Sequence, residues 1–268
     1  MQPLLLYTNL LKTEQAPVTG SSEASEYPAS NVWTDNYAEV WRSTAAGASA
    51  ETLTVDLGAA QDVDAVALGN VNFRSTATVT IAGNSADSWG APAFGPETIV
   101  ATGLDGVRRN LYHELSSSQN LRYWRISVTD NGNPDGFLEV GELWLGEQVT
   151  MTDSFDQGIE FTHGYANTEQ LSDQGQSYVF ERDRLVQIDA RWMNIQAATR
   201  SELLALFRAV KGNALPFFFV FDPTSPAEAY FVKLTQRSLV ERKVDFNVYE
   251  MSLSMIEQPV GLIVPKDV

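Results

Sequence analysis

The chain has 268 residues and no cysteine, which excludes disulfide bridges, thiolate zinc sites and cysteine nucleophiles. Its formal net charge of −16 disfavours partners with a phosphate backbone, so nucleic-acid binding is not expected. No apolar run approaches the about 18 residues of a membrane-spanning helix, and the first one, Leu4–Tyr7, has no basic segment before it. We therefore expect neither a membrane span nor a signal peptide.

The first half of the chain is a series of short alternating segments separated by glycine, serine, asparagine and aspartate. The predicted strands are Thr52–Leu57, Val63–Leu68, Ala77–Ile81, Leu121–Val128 and Phe137–Leu145. In the last of them the alternation slips at Gly141, which predicts a β-bulge. Many short strands with almost no helical periodicity indicate a β-sandwich or jelly roll.

A domain boundary is predicted near residue 148, where the last of these strands gives way to a polar stretch. The first domain then spans residues 1–148 and the second spans residues 149–268. Between residues 149 and 182 aromatic side chains are scattered among polar ones, which predicts an irregular arm or a loop-rich pair of strands.

The second domain contains a strand, a helix and a dense aromatic strand in succession. Arg184–Trp192 alternates with period two, as a half-buried strand does. Thr199 and Glu202 have the spacing of a capping box and predict a helix over residues 199–211, which Gly212 ends. One face of this helix is apolar and carries Leu203, Phe207 and Val210.

The aromatic strand Phe217–Phe221 is apolar on both faces, so both faces are predicted to be covered. We expect the apolar helix stripe on one side of it and the final strand on the other. Strand Ala229–Leu234 follows, and the final strand is predicted over Val244–Ile256, with a bulge at Tyr249 and Glu250.

Residues suited to catalysis are sparse. His113 and His163 are separate from each other in the sequence, and neither a G-x-S-x-G motif nor a phosphate-binding glycine loop occurs. A pair of carboxylates could serve a glycosidase, but the acidic residues mostly fall on outward strand positions and in turns. We predict no catalytic residue, no cofactor and no enzymatic activity.

The loop Asp130–Gly136 carries oxygen ligands at a spacing that suits calcium. Its Asn-Gly and Asp-Gly pairs are also ordinary turn formers, and a turn is the preferred interpretation.

Tryptophan side chains are candidate stacking surfaces for sugars. The four candidates are Trp33, Trp41, Trp89 and Trp144, whereas Trp124 and Trp192 fall on inward strand positions and are predicted to be core.

The first half of the chain resembles discoidin-like, galactose-binding-like domains. The segments that carry the resemblance are Tyr27–Trp33, Val40–Ser43, Leu53–Gly58 and Leu138–Gly146. The resemblance covers roughly residues 1–147. It implies a jelly roll that, in many relatives, binds glycans or lipids with the loops at one end.

The same resemblance implies a calcium site in many relatives, and the matching positions here are Asp35 and Glu142. The loop around Asp35 departs from the family pattern because it lacks the usual glycine and has Glu39 in place of a threonine. We therefore predict no metal site.

The second half resembles tail proteins of long-tailed bacteriophages. The segments Ser201–Phe207 and Gly212–Asp222 look like the helix and the aromatic strand of distal tail and minor tail proteins. This resemblance covers roughly residues 182–259 and implies a β-sandwich with one flanking helix that assembles into rings.

The leading prediction is a structural component of a bacteriophage tail tip, assembled in the host cytoplasm and located in the virion. It would form a homo-oligomeric ring and contact the tube, hub and fibre proteins. The alternative is the carbohydrate-binding module of a phage receptor-binding or adhesion protein, with a host surface glycan as partner. The third hypothesis is a hydrolase.

Overall fold

The computed structural model describes residues 2–46, 49–101, 104, 110–153, 158–181, 184–225 and 228–259. The strands are β1 (Leu4–Leu6), β2 (Val18–Gly20), β3 (Trp41–Arg42), β4 (Glu51–Gly69), β5 (Thr78–Asn84), β6 (Phe94–Ile99), β7 (Leu111–Thr129), β8 (Glu139–Val140), β9 (Glu142–Gly146), β10 (Val149–Thr150), β11 (Ile159–Tyr165), β12 (Thr168–Leu171), β13 (Ser177–Phe180), β14 (Arg184–Ile195), β15 (Phe217–Val220), β16 (Ala229–Leu234), β17 (Glu241–Asp245) and β18 (Val248–Glu257). The helices are α1 (Leu10–Thr13), a 3₁₀ turn (Ala29–Trp33) and α2 (Ala197–Ala209). The protein is therefore mainly β with one main helix, as the sequence predicts.

Contacts divide the chain into two compact units. The first comprises Met1–Ser154 and Phe217–Phe231, and the second comprises Phe155–Pro216 and Val232–Val268. The boundary that the sequence predicts at residue 148 stays a prediction.

The first unit is built around an antiparallel sheet in the order β2-β4-β7-β5-β6, with β9 also paired to β4. A two-stranded sheet of β3 and β8 accompanies it. Alternate side chains of β4 and β7 point into the core, among them Leu53, Val55, Trp124 and Ile126, each at most 2% exposed. Period-two alternation thus places one face of these strands in the core and leaves the other face polar.

Two details of these strands differ from or refine the prediction. The predicted strands at residues 52–57 and 63–68 form one long strand, β4, whose pairing with β7 shifts between Asp56 and Gln61. The predicted slip at Gly141 is a break between β8 and β9. A Cβ on Gly141 would lie 2.9 Å from the carbonyl oxygen of Tyr37, so close backbone approach requires glycine there.

The aromatic strand β15 belongs to the first unit, where β1 pairs with it and also with β10. All four residues of β15 are at most 1% exposed. The sequence predicts their burial, but it does not indicate the pairing with Leu4–Leu6, because more than 200 residues separate the two strands.

The second unit contains β14, paired on one side with β11 and on the other with β18. Its inward side chains Val186, Ile188 and Trp192 are fully buried, as the alternation predicts. Helix α2 begins at Ala197, with Gln196 as its N-cap and no side-chain capping bond. The predicted capping box is therefore wrong: Thr199 is a buried residue inside the helix.

The predicted final strand over residues 244–256 is correct from residue 248 onward, as β18, and wrong over residues 244–247. Two strands, β17 and β18, form a hairpin whose turn contains Phe246 and Asn247, and Asn247 has a φ of +55°. Asparagine tolerates this left-handed conformation, so the chain reverses direction where the sequence predicts continuous alternation. The predicted bulge at Tyr249 and Glu250 coincides with a register shift between β14 and β18, where Trp192 pairs with Met251 and Ile195 pairs with Tyr249.

Another hairpin, β12–β13, has every residue of both strands exposed. Within the described ranges, no helix has both the length and the apolar character that membrane crossing demands.

Candidate functional site

The four tryptophans considered as sugar platforms occupy different environments. Trp41 and Trp144 are core residues, 1% and 2% exposed, and Trp33 is half-buried with its indole nitrogen inaccessible to solvent. The rings of Trp41 and Trp144 are therefore part of the core and present no free face for stacking, and Trp33 packs partly against the same core. Trp89 is the remaining candidate, because it lies half-exposed in the loop between β5 and β6.

Contacts with β7 fix the position of Trp89. Its indole Nε1 donates to Asp87 Oδ1 at 2.6 Å, and the Arg125 guanidinium lies 4.2 Å from the centre of its ring. Arg125 also lies 3.9 Å from Asp87. The loop is thereby anchored to the sheet by a cation–π contact and a charge pair.

The outward face of β4 and β7 supplies the polar groups. Thr54 pairs with Arg125 and Asp56 pairs with Tyr123 across the two strands, and Thr54 also pairs with Thr19 of β2. Because strand side chains alternate, these residues share the face opposite Leu53, Val55 and Trp124 of the core.

A cleft of about 550 Å³ lies on this face of the first unit, within the usual size range of small-ligand sites. Its polar lining consists of Thr19, Ser21, Thr52, Thr54, Asp56, Asp87, Tyr123 and Arg125. A second cleft, of about 480 Å³, lies in the second unit, and no aromatic side chain lines it. We refer to the first of these as the Trp89 cleft, after the tryptophan that contacts its lining residues Asp87 and Arg125 without lining it itself.

Asp56 is held in its ionised form at the edge of the Trp89 cleft. The Arg122 guanidinium donates to both of its carboxylate oxygens, at 2.6 and 2.8 Å, and this pairing lowers the pKa of Asp56. Arg122 also lies 4.8 Å from the ring centre of Tyr123. The cleft therefore presents a fixed hydrogen-bond acceptor beside an aromatic ring.

A second cluster of charged groups brings together the two positions that the discoidin-like resemblance associates with calcium. The Lys12 ammonium lies 2.5 Å from Asp35 Oδ1 and 2.8 Å from Glu142 Oε1. An ammonium at ion-pair distance from both carboxylates leaves no room for a metal ion between them, so a divalent cation does not fit here. Within the part of the chain that the structure describes, no group of three or more metal-binding side chains occurs.

Residues 17–143 match the F5/8 type C domain family. The N-terminal half of the chain carries an F5/8 type C domain. This confirms the discoidin-like resemblance read from the sequence. No curated protein matches the chain.

Several solved structures are similar to the chain. Chitosan-binding module 1 of a chitosanase/glucanase from Paenibacillus sp. IK-5 is 24% identical, over 52% of this chain and 99% of that one, with a TM-score of 0.41. The family 32 CBM of C. perfringens NanJ in complex with galactose is 18% identical, over 55% and 99%, with a TM-score of 0.40. The lectin domain of lectinolysin complexed with Lewis B antigen is 20% identical, over 52% and 95%, with a TM-score of 0.38.

The candidate calcium loop of the F5/8 type C domain, residues 130–136, forms two consecutive turns. Asp130 is buried and accepts from Arg74 Nε at 2.7 Å, from the Arg74 backbone amide at 3.0 Å and from Asn133 Nδ2 at 3.0 Å. The Asp130 carboxylate thus accepts from one guanidinium and two amides. It stabilises the turn, as the preferred interpretation predicts.

The two histidines lie in different units. His113, in the F5/8 type C domain, has its Nε2 3.2 Å from Glu97 Oε2. His163 is exposed on β11, opposite Val186 of β14. The structure does not bring them together.

Sequence reasoning missed most of the Trp89 cleft. The outward positions of Tyr123 and Arg125 were readable from the alternation of residues 121–128. Their grouping with Thr19 and Asp56 was not, because it depends on the order of strands in the sheet.

Proposed function

We propose that the F5/8 type C domain binds a carbohydrate in the Trp89 cleft. The observation that carries this proposal is a half-exposed aromatic ring, Trp89, beside a polar cleft that contains a second ring, Tyr123. Aromatic rings pack against the apolar faces of sugars, while hydroxyl and carboxylate groups bond to sugar hydroxyls. The family match supports the proposal, because the resemblance implies glycan or lipid binding in many relatives.

The charges around the cleft favour a neutral glycan. Asp56 is neutralised by Arg122, and Asp87 lies near Arg125, so acidic and basic groups occur in equal number. The chain as a whole carries a formal charge of −16, which disfavours sulfated or phosphorylated ligands through long-range repulsion. A neutral sugar with several free hydroxyls matches both properties.

Glycan binding is expected to depend on the two rings. Trp89→Ala and Tyr123→Ala should each weaken binding by about tenfold or more, since the loss of one stacking contact corresponds to about 1–2 kcal/mol. A glycan array identifies the ligand, and isothermal titration calorimetry then compares the variants with the unmodified chain.

Tyr178→Ala is the matched control, because Tyr178 is an exposed aromatic residue of the second unit. Circular dichroism verifies that each variant is folded. A folded protein that binds nothing on the array, or a Trp89→Ala variant that binds as tightly as the unmodified chain, would contradict the proposal.

A second candidate function, assembly into an oligomer, is favoured by the apolar side chains of the second unit. Leu171 of the β12–β13 hairpin is 72% exposed and Phe246 of the β17–β18 turn is 80% exposed. Soluble monomers rarely present such clusters, and exposed hairpins readily pair with other chains. The bacteriophage tail ring and the virion location fit this function and stay proposals, since the family match covers only residues 17–143.

If the second unit assembles, light scattering should show a mass that increases with protein concentration. Leu171→Asp combined with Phe246→Asp is expected to return the chain to a monomer, because a charge at each position opposes burial. Ser172→Asp, on the exposed turn next to Leu171, is the control. A strictly monomeric unmodified chain over a wide concentration range would count against self-assembly.

A further inference from the structure

Lys12 joins two carboxylates that are distant in the sequence. Its ammonium contacts Asp35 and Glu142, which are 23 and 130 residues further along the chain. Glu142 is 1% exposed, so its charge has little access to water. A cation at this position is therefore needed to offset a buried carboxylate.

The fold fixes Lys12 over this carboxylate. Asn9 caps helix α1 by accepting from the Leu11 amide at 3.1 Å, and its Nδ2 donates to the Leu143 carbonyl at 2.9 Å and to Glu142 Oε1 at 3.3 Å. Residues three apart share a helix face, so Lys12 lies on the same side as Asn9. Asn9 therefore attaches the start of α1 to β9, and this places the Lys12 ammonium beside Glu142.

Asp35 reaches the cluster through a special backbone conformation. Its φ is +64°, in the left-handed region that few residues other than glycine, asparagine and aspartate adopt. This conformation directs the loop toward α1, where the carboxylate meets the ammonium. One carboxylate from a loop and one from β9 therefore converge on one cation.

One oxygen of the cluster has no hydrogen-bond partner among the residues that the structure describes. Glu142 Oε1 interacts with Lys12 and Asn9, whereas this second oxygen, Oε2, is buried. An ammonium presents its donors to single oxygens, but a divalent cation can bind both oxygens of one carboxylate. Because a lysine bonds to only one of the two oxygens, it leaves unsatisfied the oxygen that a doubly charged ion would also bind.

We propose that the Lys12 ammonium permanently replaces a divalent cation in the F5/8 type C domain, and that the site accepts calcium once this ammonium is removed. Lys12 precedes residues 17–143, the part that matches the family, so the cation comes from a segment next to the matched residues. Two consequences follow: the intact domain is independent of calcium, and a lysine-free variant depends on it. Neither consequence requires the domain to bind a carbohydrate.

The experiment compares thermal unfolding of the full chain in EDTA and in calcium at about 1–10 mM, above the dissociation constants of weak calcium sites. The unmodified chain should melt at the same temperature in both. Lys12→Ala should melt lower in EDTA and regain about 3–6 °C in calcium at tenfold excess over its dissociation constant. Isothermal titration with calcium alone should detect binding to Lys12→Ala and none to the unmodified chain.

Two further variants make the result specific. Lys12→Ala combined with Glu142→Gln should lose the response to calcium. Lys233→Ala, which removes a lysine of the second unit, is the control and should not respond to calcium. If Lys12→Ala does not fold in EDTA or in calcium, Lys12→Gln, which keeps a neutral donor for the carboxylates, replaces it in the same comparison. A change in melting temperature of the unmodified chain with calcium, or a folded lysine-free variant that ignores calcium, would overturn the proposal.

Discussion

Replacing Tyr37 by alanine is expected to lower the free energy of unfolding of the first unit by about 3–5 kcal/mol, the usual cost of removing a buried aromatic ring. The Tyr37 ring stacks on Phe231 with 4.6 Å between ring centres and an interplanar angle of 25°. Its hydroxyl donates to Asn110 Oδ1 and accepts from the Asn70 amide at 2.8 Å. Urea denaturation followed by tryptophan fluorescence measures the change.

Tyr37→Phe separates the contribution of the ring from that of the hydroxyl. The phenylalanine keeps the stacking on Phe231 but leaves Asn70 and Asn110 without the buried oxygen between them, which should cost about 1–3 kcal/mol. Tyr178→Ala, at an exposed position, is the control and should change stability by less than about 0.5 kcal/mol. Equal losses for Tyr37→Phe and Tyr37→Ala would mean that the ring contributes nothing.

Local patterns in the sequence predict the strands of the first unit well. Alternation identifies the inward positions of β4 and β7, because a strand with one buried face must place apolar residues at every second position. Gly212 has the left-handed conformation that the sequence predicts, with a φ of +68°, although α2 already ends at Ala209. These features depend on residues close together in the chain.

Features that depend on distant residues could not be predicted in the same way. Lys12 is an ordinary charged residue of a short helix until the fold brings Asp35 and Glu142 beside it. Trp41 and Trp144 are chemically equivalent to Trp89, and only the packing of the sheets decides that two are core and one is half-exposed. The Trp89 cleft likewise exists because β2, β4 and β7 are neighbours.

The predicted capping box at Thr199 shows a different limit. The spacing of Thr199 and Glu202 satisfies the motif, but the chain enters the helix earlier, at Ala197, and Thr199 is buried. The spacing of the motif therefore does not fix where the helix begins, because Thr199 is buried inside the helix and does not cap it.

The second large effect expected is a loss of stability as the pH rises from about 5 to about 8. Burial raises the pKa of Glu142 from 4.5 to about 7, and the Lys12 ammonium and the Asn9 amide offset only part of this rise. The folded protein thus favours the protonated carboxyl more than the unfolded chain does. This contribution to stability is fully present below pH 4.5 and is lost as the pH passes through about 7.

Lys12 remains charged throughout this pH range. Burial lowers the pKa of Lys12, but the nearby carboxylates of Glu142 and Asp35 outweigh burial and raise it overall. When Glu142 is protonated, Asp35 still pairs with the ammonium at 2.5 Å. The two shifts are therefore compatible: Glu142 is the group that titrates, and Lys12 is the fixed charge beside it.

Glu142→Gln isolates the contribution of this one carboxyl from that of the rest of the chain. Because a change of one in pKa corresponds to about 1.4 kcal/mol, the rise from 4.5 to about 7 limits the loss to about 3 kcal/mol. Urea denaturation of both proteins between pH 5 and pH 8 should show this loss in the unmodified chain and not in Glu142→Gln. Parallel pH profiles would instead mean that Glu142 is already ionised at pH 5, with Lys12 offsetting the whole cost of its burial.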